Sequence, residues 1–210
     1  MHLMTSVRRT VAALTLSTAL VAGTAALAAP AHAERWTHDD AVGDVVRETM
    51  GEPGAELTPA PERTSIDITR VVANHKGRNL TIKVRTRGAM KGALMSMSMI
   101  RTPSKRLVLT SSRIPMFGSS LDLYDVNTKR RDPSVRCPGL KRTFDKSRTV
   151  MTTTIPRSCL GNPRWVRFNV DLSTMDLLAD DDYSYREDGL RDGRVSRFGL
   201  AKMSPKIKHG

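Results

Sequence analysis

Apolar and polar residues alternate along most of this chain. In NLTIKVRTRG, Leu80, Ile82 and Val84 alternate with Thr81, Lys83, Arg85 and Arg87. Successive side chains of a strand point to opposite faces, so this period of two predicts a strand with one buried and one wet face. RWVRFNVDL repeats the rhythm with Val166, Phe168, Val170 and Leu172 inward. Shorter runs follow in SIDITRVV (Ile66, Ile68), RLVLTSS (Leu107, Leu109), SLDLYDV (Leu121, Leu123) and RTVMTTTI. β-Branched residues are dense in them, and Gly, Pro, Asn and Ser clusters separate them. HKGRN, between two such runs, reads as a hairpin loop around Gly77.

Many short strands with almost no helical pattern predict an all-β chain, an antiparallel, jelly-roll-like β-sandwich. A short helix around Asp40–Met50 is the exception. Two long loops are expected: residues 51–63, punctuated by Pro and Gly, and residues 173–193, acidic and tyrosine-bearing.

The first residues depart from this pattern. Arg8 and Arg9 precede an apolar run, Val11–Ala29, which closes on Pro30 and the small-x-small segment Ala31–His32–Ala33. A positive start, an apolar middle and a small-residue end predict a secretory signal peptide, residues 1–33, cleaved after Ala33. The run is padded with Thr, Ser and Gly and lacks a basic stop-transfer cluster, which argues against a membrane anchor. Ordinary Sec export fits better than the twin-arginine route, because Thr10–Val11–Ala12 suits the latter poorly. The expectation is a secreted, extracellular single domain, residues 34–210, with no membrane span in the mature form. Export also bears on Cys137 and Cys159, which lie where disulfides persist and are predicted to be bonded. A loop of that length contributes roughly 3 kcal/mol.

Charge narrows the partners. The chain has 34 Lys and Arg against 21 Asp and Glu. Removing Arg8 and Arg9 with the leader leaves a net charge of +11. Such an excess favours anionic partners, from wall polymers and acidic glycans to lipid headgroups and nucleic acid. Lys83, Arg85 and Arg87 alternate outward on one strand, and could grip phosphate or sulfate without reading a nucleic-acid sequence. A solvated charged face with no particular partner is the competing reading. Trp165 and Arg167 share a side opposite Val166 and Phe168. An exposed indole there would suit a sugar face; packing against a second face or plugging the end of the sandwich is the preferred reading.

Catalytic and metal signals are sparse. G-x-S-x-G, H-E-x-x-H and phosphate-cradling glycine loops do not occur. A hydrolase would have to use His38 or His75 with a neighbouring carboxylate. No cofactor is expected, except that Asp39, Asp40 and Asp44, set around a glycine turn, with Asp67 at the start of the first clear strand, could hold a structural calcium. The Asp180–Asp182 run is a second calcium candidate. For both runs a solvated acidic turn is the competing reading. Met95, Met97 and Met99 share one face of a strand; Cu(I) binding is conceivable, and apolar packing is the preferred reading.

WTHDDAVGDV, SIDITRVVANHKGRNLTIKV, VRCPGL and IPRSCLGNPRWVRF, in that order, resemble small secreted actinobacterial proteins of unassigned function. The layout is also similar to DOMON-like and family-nine-type carbohydrate-binding sandwiches, although their aromatic sugar clamp is missing. That resemblance implies a β-sandwich, ligand binding in place of catalysis, and calcium near Asp44 and Asp67. The expectation is a non-enzymatic secreted protein that binds a cell-envelope or extracellular polymer, glycan or polyanion, with the His38 or His75 hydrolase as the alternative.

Overall fold

The computed structural model of the chain describes residues 35–49, 57–175, 183–191 and 202–210, all within one compact unit, Ala31–Gly210. The expected leader, its cleavage point and the Asp180–Asp182 run lie outside the described residues. The strands are β1 (Arg35–Asp39), β2 (Val46–Thr49), β3 (Thr58–Pro59), β4 (Ile68–Lys76), β5 (Asn79–Thr86), β6 (Leu94–Arg101) and β7 (Arg106–Ile114). They continue as β8 (Gly118–Asp125), β9 (Lys141–Phe144), β10 (Val150–Pro156), β11 (Trp165–Phe168), β12 (Asp171–Met175), β13 (Tyr183–Asp188) and β14 (Ile207–Lys208). A 3₁₀ turn, Arg157–Leu160, follows β10.

The strands form two antiparallel sheets. The first has the order β1-β4-β5-β10-β9. In the second, β6 is central, with β7 and then β8 on one side and β11 and β12 end to end on the other. β14 lies beside β11, while β13, β2 and β3 extend outward from β12. Alternation placed Leu80, Ile82, Val84, Leu107, Phe168 and Leu172 correctly in one core shared by the two sheets, where Val71, Ala73, Met151 and Ile100 join them. Trp36 meets Phe168 edge-on, with ring centroids 5.7 Å apart, which joins the two layers. Fully burying a side chain of this size contributes about 1.5–3 kcal/mol. The result is a sandwich.

Cys137 and Cys159 are bonded, with Cα atoms 5.5 Å apart. The bond ties the segment before β9 to the 3₁₀ turn.

Three local expectations need correction. The segment read as a helix at Asp40–Met50 contains strand β2, which pairs with β13 and β3. Gly43, at φ +82°, turns the chain before it, and long-range pairing overrides local helical preference. Neither predicted loop is wholly irregular, since Thr58–Pro59 pairs with β2 and the 173–193 stretch contributes β12 and β13. Arg186, Glu187 and Asp188 of β13 are all buried, so that strand shows no alternation. Met95, Met97 and Met99 are half-buried on the outer face of β6, whereas Leu94, Ser98 and Ile100 face the core.

Candidate functional site

The outer face of the first sheet carries the strongest charge pattern in ordered rows. One cross-strand row reads Asp39, Arg70, Arg85, Val150; the next reads Thr37, Val72, Lys83, Thr152, Thr143. A third reads Arg35, Asn74, Thr81, Thr154, Lys141. Neighbouring strands lie about 4.8 Å apart, which brings these cations within a few ångströms of hydroxyl partners. Arg35, Arg70, Lys83 and Arg85 line a shallow depression of about 240 Å³ together with Val72, Asn74 and Val150. Asp39 is the carboxylate of these rows, and it hydrogen-bonds Arg70 Nε. Arg70 owes its place to a bulge: the register shifts between Ile68 and Arg70, so Ile68 faces the core and Arg70 faces outward.

Only part of the expected binding set lies here. Lys83 and Arg85 do. Arg87 lies one residue beyond the end of β5, and its guanidinium turns to the buried Asp67 carboxylate (2.6 Å) and the carbonyl of Pro61. Trp165 and Arg167 belong to the second sheet. Lys206 sits 4.9 Å from the centroid of the Trp165 ring, and Arg167 Nε donates to the carbonyl of Ser204 at 2.7 Å. Arg167, Arg101 and Arg106 form one cross-strand row on that sheet.

The calcium set is also divided. Asp39 is exposed on the cationic face. Asp67 is buried and accepts the amide of Gly43 through both oxygens, at 3.1 and 3.0 Å. Asp44 lies instead with Asp40 and Asp67 around Glu187, a buried side chain on β13 that the sequence did not single out. Burial raises the Glu187 carboxyl far above its ordinary range, and Asp44, Asp40 and Asp67 push it the same way. Among the described residues no group of three His, Cys, Asp or Glu side chains is arranged to hold a metal ion.

The two histidines differ. His38 Nε2 is 3.7 Å from Asp40 Oδ1, and its ring stacks on Trp36. His75 is fully buried, with Nδ1 against the carbonyl of Ile207 at 3.1 Å. Burial holds His75 below its ordinary value, and Arg157 and His209 add to that effect. A ring fixed on a backbone carbonyl serves packing better than proton transfer.

A further group was invisible in the sequence. Arg113 at the end of β7, Arg142 on β9 and Arg148 in the β9–β10 turn surround Phe144, with guanidinium carbons 5.9, 5.5 and 4.7 Å from its ring centroid. Their spacing in the chain gave no periodic signal. No family model matches the chain, and no curated protein or solved structure does so either.

Proposed function

We propose that this is a non-enzymatic, exported binding protein that holds an anionic polymer of the cell envelope or extracellular space on the outer face of its first sheet. The observation that carries this reading is the placement of Arg35, Lys83 and Arg85 in successive outward rows with Asp39 as the carboxylate among them. Unlike charges directly opposite stabilise a sheet, and like charges destabilise it. Arg70 and Arg85 are opposite one another, so this arrangement favours binding over stability.

The face favours polyanions over neutral sugars, since its rows hold threonines and cations and no aromatic ring. Trp165, the expected sugar platform, faces outward from the other sheet and carries Lys206 over its ring. Calcium is not required by this reading, and the contact of His38 with Asp40 is the observation that favours the hydrolase alternative.

The test is binding of the oxidised protein to a polyphosphate chain, a sulfated glycan and a neutral glycan. Joint Lys83→Gln and Arg85→Gln replacement is expected to weaken binding to the first two and leave the fold intact. Unchanged binding would remove the first sheet from the account.

A further inference from the structure

Arg113, Arg142 and Arg148 come from three separate segments and bridge the two sheets at one end of the sandwich. Arg142 Nη1 donates to Ser111 Oγ and to the carbonyl of Ser112 at 3.1 Å, crossing from β9 to β7. Arg113 Nη2 and Arg148 Nε converge on one acceptor, the carbonyl of Met90, at 3.0 and 3.1 Å. Among the described residues no carboxylate pairs with any of the three. Arg113 Nε and Arg148 Nη2 are buried with no hydrogen-bond partner. A guanidinium cannot shed its proton in a protein, so a buried donor without a partner incurs its full desolvation cost. The Phe144 ring attracts the cations but supplies no acceptor.

The backbone adds an independent observation. Arg148 has φ +59°, in the left-handed region, where a side chain costs roughly 1–2 kcal/mol. Glycine takes this conformation without that cost. What arginine adds is a third guanidinium, held over Phe144. Burial lowers the affinity of Arg142 for its proton, and the charges of Arg113 and Arg148 lower it further, so the three sense one another directly.

We infer that Arg113, Arg142 and Arg148 form a binding site for a single tetrahedral oxyanion, a phosphate or sulfate group. The planar donors of arginine match such oxygens in pairs, and one anion would satisfy the orphaned nitrogens while relieving the mutual repulsion. This site does not rest on the polymer reading, because neither Lys83 nor Arg85 belongs to it. The same chemistry is offered by a free inorganic anion and by an ester at a polymer end.

The experiment is calorimetric titration of the oxidised protein with inorganic phosphate, inorganic sulfate and glycerol phosphate, against chloride at matched ionic strength. Saturable binding of phosphate or sulfate, absent with chloride, is expected. Tighter binding of glycerol phosphate identifies an ester as the source, and tighter binding of the inorganic ions identifies the free anion. Arg148→Gly, which suits the turn, is expected to fold and to weaken binding by about tenfold or more. Arg142→Gln should do the same, whereas Lys83→Gln should not. Heat indistinguishable from chloride, or affinity retained in both Arg148→Gly and Arg142→Gln, would overturn the site.

Discussion

Arg70 and Arg85 stand directly opposite one another on adjacent antiparallel strands, and Asp39 pairs with Arg70. Like charges in this position cost about 0.2–1 kcal/mol. Replacing Arg85 by Gln is therefore expected to leave stability unchanged or raise it by a few tenths of a kcal/mol. Denaturant midpoints of the two proteins check this. A clear loss of stability would mean that Arg85 serves the fold and not a partner.

The disulfide gives a second expectation. Cys137 and Cys159 close a loop of 22 residues in sequence separation. Reduction, or joint replacement by Ala, should cost roughly 3 kcal/mol through the unfolded chain. Urea unfolding with and without reductant measures it, and a loss well under 1 kcal/mol would place the strain of the loop elsewhere.

The dependence on pH follows from the buried acids. Burial raises Asp171 from 3.8 to about 6, against the opposing pull of Arg186 and with help from Asp188. The unfolded chain thus loses its proton at lower pH than the folded one. The contribution is fully present below about pH 3.8 and falls away as pH rises to about 6, by up to about 3 kcal/mol. The raised Glu187 and Asp188 act in the same sense. Asp132 and Asp145 are lowered by hydrogen bonds, so their effect is confined to more acid conditions. Urea midpoints should fall between pH 4 and 6, with a shallower fall in Asp171→Asn. A midpoint rising through that window contradicts the assignment.

Gly189 closes the approach of β13 to β4. A Cβ there would lie 2.7 Å from Ile68 Cδ1 and 3.3 Å from Val71 Cγ2, both in the core. Gly189→Ala is expected to destabilise the protein by about 1–3 kcal/mol, the usual cost of overpacking. Thermal unfolding of that variant is the measurement, and a wild-type Tm would show that the two strands can separate freely.

The outcome separates what alternation encodes from what it does not. Period two told inside from outside for Leu80, Ile82, Val84, Val166 and Phe168 because each strand is buried on one face. It could not tell which sheet a strand joins, and Trp165 and Arg167 lie in a different layer from Lys83 and Arg85. Parity also fails at a strand's end and at a bulge. Arg87 shares the parity of Arg85 but turns to Asp67, and Arg70 gains the outer face only through the irregularity at Thr69. β13 carries no period-two signal, because its last four residues are all buried. Glu187 and the three arginines around Phe144 come together through contacts far apart in the chain, which no local pattern announces.

The central claim is that the cationic face of the first sheet binds a polyanion, and the salt dependence of polyphosphate binding tests it most directly. Affinity should fall linearly with salt on logarithmic axes, as neutralised charges release counterions. Replacing Lys83 and Arg85 by Gln should make that slope shallower by nearly one for each charge removed. An affinity insensitive to salt, or a slope that the double replacement leaves unchanged, would contradict the account.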